Sequence, residues 1–182
     1  MRITHLPIDG PVLIRPKILA DARGYFMETF KDGWFRDTIA DVAFVQDNQA
    51  LSVQAGTIRG LHYQADPMPQ GKLIRCVSGA IFDVAVDIRP GSVTFGQWVG
   101  ANLTADGAEQ MWVPEGFLHG YCALTDGAVV FYKVTAPYSA SHDRGIAFDD
   151  PDIAIDWPVS PGEAIVSEKD RAQPSLASLV RS

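Results

Sequence analysis

The stretch K-L-I-R-C-V-S-G-A-I-F-D-V-A-V-D-I, from Lys72 to Ile88, decides how the chain is read. Two apolar runs flank Ser78-Gly79, a dipeptide suited to a tight reversal, and this predicts a β-hairpin of Lys72–Val77 with Ala80–Ile88. In the second run Phe82, Val84, Val86 and Ile88 fall on one face, and Asp83, Ala85 and Asp87 on the other. That period of two belongs to a strand. Downstream come Gln97–Leu103, the turn A-D-G, Gln110–Val113, and P-E-G-F-L-H-G, whose Pro114 and Gly116 form a turn able to aim His119 inward. Tyr121–Leu124, T-D-G and Ala128–Thr135 predict a second hairpin. Upstream, Val12–Ile18 is extended, D-A-R-G turns, and Tyr25–Phe30 alternates like a half-buried strand. Asp32 is suited to cap a short helix through Trp34, Phe35 and Ile39. A Pro- and Asp-rich tail after Asp149 ends in a weakly amphipathic run, Pro174–Val180. Short strands at this spacing, glycine-bearing turns and little helix predict one all-β sandwich or barrel over residues 1–182.

The totals agree with one compact domain: at 182 residues and 47% hydrophobic, the chain can bury its own core without staples. A net charge of −7 without like-charge blocks argues against nucleic acid and anionic membrane as partners. Cys76 and Cys122 each sit inside a strand-like run and are expected as buried thiols of a cytoplasmic protein. No apolar run approaches membrane-spanning length.

Chemistry concentrates between Gln46 and Lys72. Arg59, His62, Tyr63, Gln64 and Lys72 follow closely on Gln46, Asp47 and Asn48. A base, two fixed cations and several amides suit an anionic, oxygen-rich small molecule. A polar loop carrying one ordinary histidine would look the same if His62 stood alone. His62 and His119 offer a possible mononuclear metal site, but there is no H-x-H pair and no well-placed glutamate to complete it. Tyr132 shares a strand face with Val130 and Val134, as a core tyrosine does, or as a phenol projecting into a cavity. Asp170, in S-E-K-D-R, is a candidate partner for His62. Arg23, Arg59, Lys72 and Lys169 are candidate phosphate contacts.

The strings D-A-R-G-Y-F-M-E, F-V-Q-D-N, R-G-L-H-Y-Q, Q-G-K-L-I-R, V-D-I-R-P-G-S-V-T-F-G, W-V-P-E-G-F-L-H-G, Y-K-V-T-A-P-Y and S-E-K-D follow one another in the order of a known family. On these eight motifs the chain resembles the dTDP-4-dehydrorhamnose 3,5-epimerases from about residue 3 to about residue 172. The resemblance implies a cupin-type jelly-roll barrel with a few short helices, mainly at the C-terminus. It also implies a homodimer, no metal or other cofactor, and a deoxythymidine-diphospho-sugar substrate. Residue by residue, it makes His62 the catalytic base, Asp170 its paired carboxylate, Tyr132 the acid on the opposite side of the sugar, and Lys72 the cation beside the C4 ketone. Arg23, Glu28, Gln46, Asp47, Asn48, Arg59, His119 and Lys169 match positions that hold nucleotide, diphosphate or sugar, and Phe26 and Tyr138 match aromatic positions near base or sugar. Asp143, a further substrate-binding position, stands where the family commonly has a glutamate one methylene longer. Ala50 replaces a usual serine, and Leu118 a usual alanine.

Epimerising C3 and C5 of a 4-ketosugar needs a proton removed next to the carbonyl and one returned to the other face. Lys72 would stabilise the transient enolate, an imidazole ordinarily titrates near neutrality, and a phenol stays protonated to donate. The expected activity is conversion of dTDP-4-dehydro-6-deoxy-D-glucose to dTDP-4-dehydro-L-rhamnose, feeding a surface polysaccharide. A single-centre 3- or 5-epimerase, a metal-dependent cupin and a non-catalytic sugar-binding cupin are the alternatives.

Overall fold

The structure, a computed structural model, describes residues 1–180. Its strands are β1 (Arg2–His5), β2 (Val12–Arg15), β3 (Ile18–Asp21), β4 (Gly24–Met27), β5 (Gln46–Ser52), β6 (Ile58–Gln64), β7 (Lys72–Ser78), β8 (Ala80–Asp87), β9 (Trp98–Thr104), β10 (Gln110–Val113), β11 (Phe117–Ala123), β12 (Ala128–Val134) and β13 (Asp143–Gly145). Three short helices accompany them, α1 (Asp32–Thr38), α2 (Glu168–Arg171) and α3 (Leu176–Val180). The strands form a six-stranded sheet in the order β1-β2-β10-β7-β12-β5, a five-stranded sheet in the order β13-β6-β11-β8-β9, and the separate hairpin β3-β4. From β5 onward the chain crosses repeatedly between the two large sheets, giving a jelly roll.

Both hairpins predicted around glycine turns are corrected by this topology. β7 pairs with β10 and β12 while β8 pairs with β9 and β11, so Ser78-Gly79 carries the chain from one sheet to the other. The turn T-D-G does the same between β11 and β12. Gly79 takes φ +73°, the left-handed conformation a tight reversal needs, but a reversal alone does not make the flanking strands hydrogen-bonded neighbours.

The predicted alternation in β8 does hold, and the sheets explain it. Ile81 and Ala85 pack between the sheets with Ile74, Cys76, Met111, Phe117, Tyr121 and Val130. Val84 and Val86 face the other way, under a tail that contributes Ile146, Phe148, Ile153, Trp157 and Leu176. The five-stranded sheet is therefore buried on both faces, which accounts for fully buried β11. The six-stranded sheet has its outer face covered at one end by α1, where Phe35 meets Trp112, Val12, Ile14 and Leu73.

Two local expectations change at the N-terminal end. Val12–Ile18 is two strands, broken at Pro16, which has no N–H for a ladder. Tyr25 and Phe26 are not half-buried: they are 63% and 68% exposed on a hairpin that joins neither large sheet. Helix α1 begins at Asp32 itself rather than being capped by it, with Lys31 at the N-cap and no side-chain cap bond. No described helix is long and apolar enough to cross a membrane.

Candidate active site

Strand β6 holds the centre of the site. Against β11, His62 pairs with His119 and Arg59 with Tyr121, so three steps along β6 match two along β11. That extra residue is a bulge, and it brings Arg59 and His62, of opposite parity, onto the same cavity. The strands approach closely here. A Cβ on Gly60, whose φ is +124°, would lie 2.7 Å from Gly120 Cα and 2.8 Å from the His119 carbonyl oxygen.

Asp170 arrives from the far end of the chain. A parallel bridge between Thr57 and Ile165 lays the tail beside β6, and Ser167 caps α2 by accepting the Asp170 N–H at 3.1 Å. The Asp170 carboxylate then meets His62 Nε2 at 2.6 Å, and its second oxygen accepts the Gly60 N–H at 3.3 Å. Burial by itself would raise the Asp170 pKa. The bonds from His62, Gly60 and Ser167 outweigh it and hold the carboxyl below its ordinary range.

Two connected cavities of about 410 Å³ each share His62, Lys72, Tyr132 and Lys169. Lys72 opens β7 and Tyr132 sits on β12, both in the six-stranded sheet, so they face His62 from the opposite wall. Lys72 is 8% exposed, and burial brings its pKa down to about 8, with Asp143 opposing that shift. Burial raises the Tyr132 phenol further above its ordinary value, partly offset by Arg59, so it remains a proton carrier at neutral pH. One carboxylate-paired imidazole therefore faces a phenol across a cavity that also holds a buried ammonium. This arrangement can remove a proton from one face of a bound molecule and return one to the other.

Polar groups line the cavity mouths. Asp143 is ion-paired with Lys169 and accepts the Tyr138 hydroxyl at 3.1 Å. The Tyr138 N–H donates to Gln46 at 3.0 Å, and Gln46 donates to Asn48 at 2.7 Å. Arg59 donates to the Leu51 carbonyl at 2.9 Å and lines the second cavity together with His119. His119 Nε2 lies 2.7 Å from the carboxylate of Asp83, which has no exposure. Both histidines thus commit Nε2 to a carboxylate, and no group of three or more His, Cys, Asp or Glu among the described residues is placed to hold a metal ion.

Eleven of the residues expected from sequence meet at these cavities: Gln46, Asn48, Arg59, His62, Lys72, His119, Tyr132, Tyr138, Asp143, Lys169 and Asp170. Four do not. Asp47 points to the outer face of β5, where Lys133 bonds it at 2.7 Å. Arg23 pairs with Asp21 in the β3–β4 turn, Phe26 is exposed on β4, and Glu28 follows β4; none of the three lines either cavity. The sequence reading passed over Tyr121, Asp83 and the supporting role of Gln64. Gln64 donates to the Met68 and Pro137 carbonyls and accepts the Ser139 N–H at 2.7 Å, framing the loop that carries Tyr138. Tyr121 was legible, because it lies two residues beyond His119 on one strand face.

Comparison with known proteins identifies the family of the chain. The family model described as dTDP-4-dehydrorhamnose 3,5-epimerase matches residues 5–178. A curated dTDP-4-dehydrorhamnose 3,5-epimerase from Sinorhizobium fredii is 56% identical over 179 residues, covering 98% of this chain and 91% of its own. The structure of a dTDP-6-deoxy-D-glucose-3,5-epimerase from Legionella pneumophila, in complex with dTDP-4-keto-L-rhamnose, superposes with a TM-score of 0.92 at 43% identity, covering 97% and 93% of the two chains. A 3'-monoepimerase from Streptomyces bikiniensis, in complex with dTDP-quinovose, superposes at 0.90 with 34% identity, covering 97% and 88%. The chain belongs to the dTDP-4-dehydrorhamnose 3,5-epimerase family.

Proposed function

We propose that this chain is an isomerase that converts dTDP-4-dehydro-6-deoxy-D-glucose to dTDP-4-dehydro-L-rhamnose by inverting C3 and C5. The observation that carries the reading is the placement of the His62–Asp170 pair and Tyr132 on opposite walls of one cavity, with Lys72 between sheets beside them.

His62 takes the proton from the carbon next to the ketone, and Asp170 stabilises the imidazolium that forms. Lys72 meets the negative charge that develops on the C4 oxygen, where a buried ammonium is strongest. Tyr132 returns a proton to the other face, and two groups on opposite faces are what inversion requires. Repeating this at the second carbon completes the reaction without a redox step. Arg59 and Lys169 are suited to the diphosphate, and Tyr138 to stacking on the base or sugar. Arg23, Phe26 and Glu28 join the site through a homodimer, carried on an exposed hairpin that a second copy can receive.

The single-centre reading is supported by the likeness to the 3'-monoepimerase, whose overall shape this chain shares. One experiment separates the two: NMR of the 4-keto-6-deoxy sugar nucleotide in D2O with the purified protein. Deuterium at both C3 and C5, and an L-rhamno product after chemical reduction, is the expected result. Label at one carbon only establishes a single-centre epimerase, and label at neither overturns the assignment.

A further inference from the structure

Tyr121 has no role in the scheme above, yet its hydroxyl is placed as a functional group would be. The residue is 4% exposed, its hydroxyl oxygen is buried, and it has no hydrogen-bond partner among the described residues. Ser52 is near it on β5 without reaching hydrogen-bond geometry. Buried polar atoms are nearly always satisfied, and phenylalanine would fill the same space without an orphan hydroxyl. The side chain also lines the cavity that holds His62, Tyr132 and Asp170.

Its surroundings are fixed from several elements. His119 on the same strand lies with its ring centroid 6.4 Å from that of Tyr121, and it is itself held by Asp83 of β8. Arg59 of β6 pairs with Tyr121 in the sheet register. Tyr132 of β12 packs against the core cluster that contains Tyr121, lines the same cavity, and is close enough to help raise the Tyr121 pKa. The charged and titratable groups facing Tyr121 are thus Arg59, Asp83, His119 and Tyr132.

We infer that Tyr121 is a positioning residue for the acid side of the reaction, donating its unused hydroxyl hydrogen bond to Tyr132 when Tyr132 becomes a phenolate. This inference rests on the assignment of Tyr132 as the proton donor. In that step the Tyr132 O–H bond breaks and a C–H bond forms on the sugar carbon, leaving the negative charge on the Tyr132 oxygen. Tyr121 keeps its own proton and stabilises that charge, with Arg59 adding a cation beside it. Tyr132 then regains its proton from water. A donor that engages only the phenolate acts on the proton-return step and leaves substrate binding unchanged.

The test is Tyr121→Phe in the full chain, assayed for deuterium entry and for inverted product across pH. Inverted product should fall ~10-fold or more while deuterium entry by His62 stays within about two-fold. KM should be unchanged, and the alkaline limb of kcat should move up because the phenolate has lost a donor. The melting temperature should hold or rise, since the variant removes an unsatisfied group. In a Tyr132→Phe background the same change should add nothing to the loss of inversion. Wild-type inversion by Tyr121→Phe beside a defective Tyr132→Phe overturns the inference alone. Equal losses of exchange and inversion, with a lowered melting temperature and an unmoved pH profile, also overturn it by showing a structural role. Full inversion by both single variants overturns the assignment of Tyr132 itself.

Discussion

His62 Nε2 and Asp170 Oδ1 lie 2.6 Å apart although 108 positions separate them in the chain. The bond exists because the tail runs back along β6 and α2 turns its first residues toward the sheet. Asp170 keeps its carboxylate charged through His62, Gly60 and Ser167, and so offers a fixed anion to the imidazole that becomes cationic in the proposed reaction.

His62→Ala should abolish deuterium exchange, and Asp170→Asn should lower turnover ~10²-fold with much less effect on KM. The Asp170 contribution to stability has a defined sign. Its folded pKa is depressed, so the stabilisation is complete above the ordinary carboxylate pKa and disappears as pH falls through the lowered folded value. Chemical denaturation of wild type and Asp170→Asn at pH 7 and at pH 3 checks this, and the gap between the two proteins should shrink in acid.

Lys72 should show stability and activity moving in opposite directions. Its pKa of about 8 in the folded chain, against 10.5 for an ordinary lysine, follows from burial of the ammonium. At pH 7 the charge is present in both states and only the folded state bears the desolvation. Between pH 8 and 10.5 the unfolded chain keeps its proton longer, so this residue's destabilisation fades as pH rises. Lys72→Met should therefore be more stable than wild type by about 3 kcal/mol at neutral pH, with the advantage gone near pH 10.5. The same variant should lose inversion, and wild-type turnover should decline as pH passes 8. An unchanged melting temperature in Lys72→Met would show that the ammonium is not held at a cost.

How much of this was visible in the sequence depends on the range of each interaction. The period of two in β8 was legible because it needs only neighbours, and the structure keeps Val84 and Val86 on one side and Ala85 on the other. Pairing was not legible at Ser78-Gly79, because a turn signal fixes a reversal while the partner strand is chosen by the whole sheet. The site shows the same division. Arg59 and His62 share a face through a bulge opposite Gly120, which alternation alone would have denied. The family resemblance makes Asp47 a substrate contact along with Gln46 and Asn48, while strand parity turns it outward to Lys133. The Asp83–His119 contact joins two strands of one sheet, and Asp83 read only as the polar face of β8.

Gly60 makes that bulge possible, and Gly60→Ala tests it. The added methyl would meet backbone on the facing strand at 2.7 Å and 2.8 Å, where no side-chain rotation can relieve the contact. The positive φ adds its own cost to any residue with a Cβ. A loss of about 2 kcal/mol or more is expected by chemical denaturation. Turnover should fall beyond what stability explains, because His62 and His119 flank the contact. A Gly120→Ala chain should behave alike, since its Cβ would lie 2.9 Å from the Arg59 carbonyl oxygen.

The exposed β3–β4 hairpin allows the homodimer to be tested by complementation. Arg23 and Phe26 lie on it, away from the cavities, with Phe26 68% exposed. If a second copy receives the hairpin, Arg23→Ala and His62→Ala damage each site from different chains. In a mixed dimer one site then carries both defects and the other carries neither. Two separately impaired proteins, unfolded together and refolded at equal amounts, should regain up to about a quarter of wild-type turnover per chain, the statistical share of intact sites in a random mixture. Sedimentation should report dimers before and after mixing. Dimers with no recovered activity would place Arg23 in the site of its own chain, and monomers with full activity would remove the dimer from the scheme.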